Sequence, residues 1–333
     1  MTTNTMENPG SQPDAETTHP GVSEPDAALA FWRERAGEAV RRHLSDAVSW
    51  SRACAPKPVP DDAAKLVLRD SAGKPLGVLV GSAQAAPEMA ARHARRSRAA
   101  AEVLPNDLAA VVLQPITQGD VAGRSYVVWP YRIPGREGRL AQWRWRRRWA
   151  VPVSDWLFEV NRTTCTPIAP EQHAVSVAAP LEALRSIEGV SDRVRGCAMQ
   201  AAEAFAGGGV SAVHVLMHND LWTGNVLCPE KAAAGSRYPF TIIDWAGAEV
   251  AGYPAYDLAR WAQSARLKPS GYGAQLVRHS GVLGCAPEAM RFHLALGLGL
   301  LATQLEGFSP QRFVRLADEC LEGMEAALAA AGF

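Results

Sequence analysis

Apolar and polar residues recur along this chain with two different periods, and the switch between them divides it. From about Ala27 to Val48, Phe31, Trp32, Ala36, Ala39, Val40, His43 and Leu44 fall at the spacing of a helix with one buried stripe. Leu66–Arg69 and Leu76–Val80 are short β-rich runs around the turn Asp70-Ser71-Ala72-Gly73-Lys74, which predicts a hairpin. An Ala- and Arg-rich helix is predicted from about Pro87 to Leu104, then strands over Ala109–Leu113 and Tyr126–Trp129. Apart from a compact strand region around Val215–Trp245, the remainder reads as helices. Phe313, Leu316, Ala317, Cys320, Leu321, Met324 and Leu328 form an apolar stripe on the last of them, with Asp318, Glu319, Glu322 and Glu325 on its solvated face. Strands early and helices late predict an α+β protein with a small β-rich lobe and a larger helical one.

Composition narrows the picture. Lys plus Arg and Asp plus Glu both number 34, so net charge argues against a nucleic-acid partner. Only Lys57, Lys65, Lys74, Lys231 and Lys268 are lysines. With the abundant alanine, that preference for arginine reads as a coding bias, which weakens any argument from one Arg. Residues 1–25 are nearly empty of large apolar side chains and predict a flexible tail. Six scattered cysteines without a CxxC pair read as isolated buried thiols. Leu294–Ala302 is too short to span a bilayer, and no signal-peptide pattern follows Met1, so a soluble, cytoplasmic protein without a membrane span is expected.

The chemistry is concentrated between His214 and Ala259. His218-Asn219-Asp220-Leu221-Trp222-Thr223-Gly224-Asn225 contains H-x-D-x4-N between two apolar strands. Phe240-Thr241-Ile242-Ile243-Asp244-Trp245 is a strand ending in an acid, and Gly252-Tyr253-Pro254-Ala255-Tyr256-Asp257 sets a turn before an acid that opens a helix. Phosphoryl transfer needs a divalent cation on the phosphates, and magnesium prefers a few oxygen ligands, which Asn225 and Asp244 would supply. It also needs a group that orients the attacking hydroxyl and accepts its proton, the role Asp220 fits. His218 reads as a brace of the loop backbone, and Asp257 as an acceptor for free N–H groups of that loop.

These segments resemble the aminoglycoside-phosphotransferase and choline-kinase-like small-molecule kinases, which share the protein-kinase fold. A second echo is Tyr126-Val127-Val128-Trp129-Pro130-Tyr131-Arg132-Ile133-Pro134-Gly135, similar to that family's hinge strand and following turn. The resemblance implies Asp220 as catalytic acid/base and Asn225 and Asp244 as Mg²⁺ ligands. It places the purine of ATP or GTP against Val127, Val128, Trp129 and Tyr131. It also implies a nucleotide-binding lobe over residues 26–130 and a helical lobe over 131–333. The acceptor would be a hydroxyl of an antibiotic, amino sugar or amino alcohol, with Glu249 placed to meet it.

The family's small-lobe lysine is missing. Val80 stands about where it would be, Arg69 or Lys74 is the nearest substitute, and no G-x-G-x-x-G loop precedes the hairpin. That gap supports an alternative, a kinase-like ligand-binding regulator without turnover. The run Trp143-Arg144-Trp145-Arg146-Arg147-Arg148-Trp149 reads as core tryptophans with solvated arginines.

Overall fold

The computed structural model describes residues 27–55, 62–135, 138–228, 237–305 and 309–333. The predicted tail of residues 1–25 lies outside them, as do Lys57 and Lys231. Strands β1 (Ser49–Arg52), β2 (Ala64–Arg69), β3 (Pro75–Gly81), β4 (Thr117–Val121) and β5 (Arg124–Pro130) form an antiparallel sheet ordered β1-β2-β3-β5-β4. The predicted hairpin is β2–β3, with Leu66 opposite Leu79. Alternation along the strands gives the sheet two apolar faces. Leu66, Leu68, Leu79, Tyr126 and Val128 pack under helix α1 (Ala27–His43), while Val127 packs against Ala90 and Ala94 of helix α2 (Met89–Glu102) on the other side.

Two local expectations are corrected, and one strand was not foreseen. The first helix stops at His43, and the stretch after it supplies β1. Ala109–Leu113 is not a strand: a single turn, α3 (Asn106–Ala109), runs into it, and only Val112 makes a bridge, to Ile242. Strand β4, Thr-Gln-Gly-Asp-Val, carries no apolar alternation because it is an edge strand, half-buried and exposed in turn.

Beyond the sheet, α4 (Arg139–Thr164), α5 (Ala179–Ser186), α6 (Asp192–Ala206), α7 (Tyr256–Ala265), α8 (Pro269–Leu283), α9 (Met290–Ala302) and α10 (Pro310–Ala330) close over one continuous core. Ser191 and Ser309 cap α6 and α10 by accepting from the backbone N–H three residues on. The predicted stripe of α10 faces that core. Short ribbons cross this lobe: β6 (Thr166–Pro167) pairs with β7 (Val213–Met217), β7 with β10 (Glu249–Gly252), and β8 (Val226–Leu227) with β9 (Thr241–Ile242). Their ends carry the candidate chemistry.

The Trp/Arg run lies on α4. Trp145 and Trp149, one helical turn apart, pack edge to face at 5.7 Å, and Trp149 is buried. Trp143 is half exposed under the Arg147 guanidinium, so it is not a core residue. Cys54 is likewise exposed, whereas Cys197 and Cys320 are buried. No helix among the described residues is long and apolar enough to cross a membrane.

The closest approach in the small lobe is between Gly81 and Trp32. A Cβ on Gly81 would stand 2.1 Å from the buried indole. Gly81→Ala must therefore push α1 off the sheet, and overpacking of this kind costs about 1–3 kcal/mol. Urea unfolding should show that loss, whereas Gly271→Ala in α8, with nothing within 4 Å of its added methyl, should unfold at the wild-type midpoint or above it.

Candidate active site

After β7 the chain turns through His218, Asn219 and Asp220, and three side chains, of Asp257, His218 and Asn225, tie that turn. The Asp257 carboxylate, on the first turn of α7, accepts the N–H of His218 at 2.5 Å and of Asn219 at 3.0 Å. Burial pushes Asp257 up to about 7 even against these two donors. Asn219 and Ala255, the residues at either end of the contact, both have positive φ. The loop is bent around the carboxylate.

His218 is buried and makes the second tie. Its Nδ1 faces the Asp220 N–H at 3.2 Å, and its Nε2 faces the Ile243 carbonyl at 2.9 Å. Those partners demand an accepting Nδ1 and a protonated Nε2, one neutral tautomer. Burial moves the imidazole down to about 4, so it stays neutral at ordinary pH. The ring joins the Asp220 loop to the residue before Asp244.

Asn225 makes the third tie. Its amide nitrogen donates to the Asp220 carbonyl at 2.9 Å and to Asp220 Oδ2 at 3.2 Å, while its own carbonyl accepts from the Ile243 N–H at 3.0 Å. The carbonyl that meets Ile243 is the backbone one, so the side-chain Oδ1 is left as an oxygen donor on a residue whose backbone is tied to the residue before Asp244. Asp244 has φ 65° and ψ 54°, a left-handed conformation costly for a side-chain-bearing residue and typical of functional turns. Burial, and next the Asp244 charge, raise Asp220, against the pull of Arg260, of the Asn225 bond and of Arg312. Among the described residues no group of three or more His, Cys, Asp or Glu side chains is arranged to hold a metal. The donors here are one carboxylate and one amide oxygen, a hard set that suits magnesium sharing its sphere with phosphates and water.

The small-lobe residues are arranged differently from expectation. Arg69 donates to the Gly73 carbonyl at 2.9 Å and closes the β2–β3 turn. Val127 and Val128 are buried in the sheet between β3 and β4, and the Val128 carbonyl is taken by Ile116. Only Trp129 and Tyr131 of the expected hinge are partly exposed. Lys65, which the sequence reading passed over, lies directly across from Val80, itself across from Val127. Cross-strand partners share a face, so Lys65 stands on the α2 side of the sheet. There His93 of α2 feels both charges: burial lowers it most, the Asp244 carboxylate raises it, and Lys65 is among the cations that lower it. The register of two neighbouring strands was the missing signal.

Glu249 is also reassigned. Its carboxylate pairs with Arg96 of α2 at 3.0 Å, and Arg96 also donates to the Ala246 carbonyl at 3.0 Å. The acid is engaged in joining the small-lobe helix to the Asp244 loop, not offered to an acceptor.

Next to Asp220 opens a cavity of about 850 Å³, walled by α2, α7, the end of α9 and α10. Asn219, Asp220 and Gly247 form one end of it, and no residue of β5 lines it. Of the α10 acids only Glu319 reaches it. Asp318 is bonded to Ser191, and Glu322 and Glu325 lie near Arg193.

No known family profile matches the sequence, and no curated protein matches it. Solved structures do. A choline kinase from Streptococcus pneumoniae superposes with a TM-score of 0.50 at 12% identity, over 86% of this chain and 98% of its own. A putative fructosamine-3-kinase from Haemophilus somnus 129PT gives 0.49 at 10% identity, over 87% and 97%. A choline/ethanolamine kinase family protein from Mesorhizobium loti gives 0.44 at 16% identity, over 88% and 98%. At such identities the likeness is one of fold. With its antiparallel β1-β2-β3-β5-β4 sheet and its helical second lobe, this chain has the bilobal, protein-kinase-like fold of small-molecule kinases.

Proposed function

We propose that the protein is a phosphotransferase moving the γ-phosphoryl group of ATP or GTP to a hydroxyl of a small molecule. Residues 26–130 form its nucleotide-binding side, and residues 131–333 carry the catalytic loop and acceptor site. The observation that supports this most is that the Asn225 side chain bonds to Asp220 and its backbone to Ile243, the residue before Asp244, while the Asp244 charge acts on Asp220. An acid in a strained turn, a second acid repelled by it and an amide held on the second form a site that suits a cation and a proton acceptor together.

In this reading the acceptor hydroxyl lies against Asp220. Its oxygen bonds to the γ-phosphorus as the bond from that phosphorus to the β–γ bridging oxygen breaks; the nucleoside diphosphate leaves, and the hydroxyl proton passes to Asp220. The raised affinity of Asp220 for a proton makes it a better acceptor than an exposed carboxylate. Asn225 holds Asp220 in one rotamer and, with Asp244, would hold magnesium, which neutralises phosphate charge when bound. His218 and Asp257 fix the loop and take no proton from substrate. Lys65 reaches the phosphates from β2, in place of the lysine that β3 lacks. Trp129 and Tyr131 border the purine.

Asp220→Asn should lower kcat by about 10²–10⁴-fold and leave nucleotide affinity unchanged, since the phosphates are held by other groups. A coupled assay of nucleoside diphosphate release, run beside a nucleotide titration, measures both. A regulator without turnover would show no transfer in the wild type across a broad acceptor panel.

Asp244→Ala should abolish the magnesium-dependent part of nucleotide stabilisation in a thermal-shift experiment while the nucleotide-free protein melts normally. An unchanged magnesium effect would remove Asp244 as a ligand.

Lys65→Ala should raise the nucleotide KM by about 10-fold or more, the worth of one charge-assisted contact to phosphate, whereas Arg69→Ala should leave it near the wild-type value. The reverse pattern would return the phosphate contact to the hairpin turn.

A further inference from the structure

Charge around the cavity beside Asp220 differs from charge in the chain as a whole. Acids and bases balance at 34 each over the sequence, yet among the described lining residues five are arginines and two are acids. The arginines come from three helices: Arg92 and Arg96 from α2, Arg260 from α7, Arg312 and Arg315 from α10. The acids are Asp220, at the reacting end, and Glu319, 4.0 Å from Arg315. Coding bias accounts for arginine in place of lysine. It does not account for so few acids.

Not all of this charge is free for a ligand. Arg96 is held by Glu249 and the Ala246 carbonyl, as described above. Arg260 is different. Its Nη1 meets only an amide, the Gln263 Oε1 at 3.2 Å, and its Nε is buried without a hydrogen-bond partner among the described residues. Arg260 lines the cavity and among the described residues its guanidinium is bonded to a neutral amide and to no acid, so its outer nitrogens can meet an oxyanion there. Arg92 and Arg315 are exposed and line other walls of the same space. Arg260 and Arg312 lie near enough to Asp220 to lower its proton affinity.

We infer that this cavity takes an anionic acceptor, a hydroxyl compound that also carries a carboxylate or phosphate group, and disfavours amines. The inference rests on the reading of Asp220 as the residue that meets the acceptor hydroxyl. Arginine forks match the paired oxygens of carboxylates and phosphates, so the arginines would hold the acid group while the hydroxyl lies at Asp220. A cationic acceptor would put its ammonium among like charges with only Glu319 to offset them. Asp244 and Lys65, proposed above to meet the nucleotide phosphates, are not among the residues that line this cavity.

The test uses the full chain saturated with magnesium and a non-hydrolysable nucleotide, so that the phosphate site is filled. Thermal shift is measured against matched six-carbon compounds: gluconate and glucose 6-phosphate as anions, glucose as neutral, glucosamine as cation. The two anions separate carboxylate from phosphate recognition. At least one anion should stabilise the protein where glucose and glucosamine do not. Arg260→Gln and Arg315→Gln should each weaken that binding by about 10- to 100-fold. Arg315 is exposed, so its variant guards against loss of folding in the Arg260 variant. Stronger or equal stabilisation by glucosamine, no stabilisation by either anion, or anion binding unaffected by both substitutions overturns the inference. A rise in nucleotide KM without change in anion binding also overturns it, by assigning the arginines to the nucleotide. The two readings fail separately. Anion binding without transfer of phosphate to any acceptor removes the kinase reading and leaves this one, and preferred transfer to amino sugars does the opposite.

Discussion

The Asp257 carboxylate, buried at the start of α7, is what the rest of the site depends on. It accepts two successive backbone N–H groups from the His218–Asn219 turn, one on each oxygen. A buried carboxylate is tolerated only when its oxygens are satisfied, and buried backbone donors likewise need acceptors, so each side answers the other's need. Without that match Asn219 would have no reason to hold a positive φ, and Asp220 would not point where it does. The neutral His218 ring carries the constraint onward to Ile243, the residue before Asp244. One acid, two N–H groups and one imidazole thus set the separation of the two acids proposed to do the chemistry.

A second set of contacts ties that centre to the sheet. Arg96 reaches from α2 to Glu249, at the start of β10, and to the Ala246 carbonyl in the turn after Asp244. Glu88, at the N-terminal end of α2, pairs at 3.8 Å with Arg95, and Glu102, at the other end, is exposed. His93 stands between the fields of Lys65 and Asp244. Among the described residues, then, the helix ties to the turn after Asp244 through an arginine and sets an imidazole within the field of Lys65 on β2. Movement of α2 would alter both, which makes the helix a link between the sheet and the Asp244 turn.

Fold and chemistry separate in this protein. The backbone superposes on that of a choline kinase over most of both chains, and at 12% identity that likeness is one of fold. In the proposed reading substrate choice belongs to side chains on α2, α7 and α10, where a handful of substitutions reverses the sign of a pocket without moving a helix. The arginines around Asp220 are such side chains. They also act on the centre itself, since Arg260 and Arg312 oppose the effects of burial and of Asp244 on Asp220.

The sequence by itself determined the parts whose signals are local. The β2–β3 hairpin followed from two β-rich runs and an Asp/Gly turn, α2 from its Ala- and Arg-rich composition and α10 from helical periodicity, and Asp220, Asn225 and Asp244 were singled out from residue types at strand ends. What it missed depends on partners far away in the chain. Strand β4 has no apolar alternation because an edge strand packs little, and Ala109–Leu113 has strand-like residues but only one bridge partner, Ile242. Lys65 precedes Val80 by fifteen positions in the sequence, and only the antiparallel register of β2 with β3 sets them opposite each other. Glu249 looked available for an acceptor until Arg96, from a helix more than a hundred residues earlier, took it. The arginines of the cavity come from three helices spread over the chain, and a field summed in space has no counterpart in any one segment of sequence. Periodicity and turn chemistry act between near neighbours and can be read along the chain; strand register and pocket charge arise only when distant segments meet.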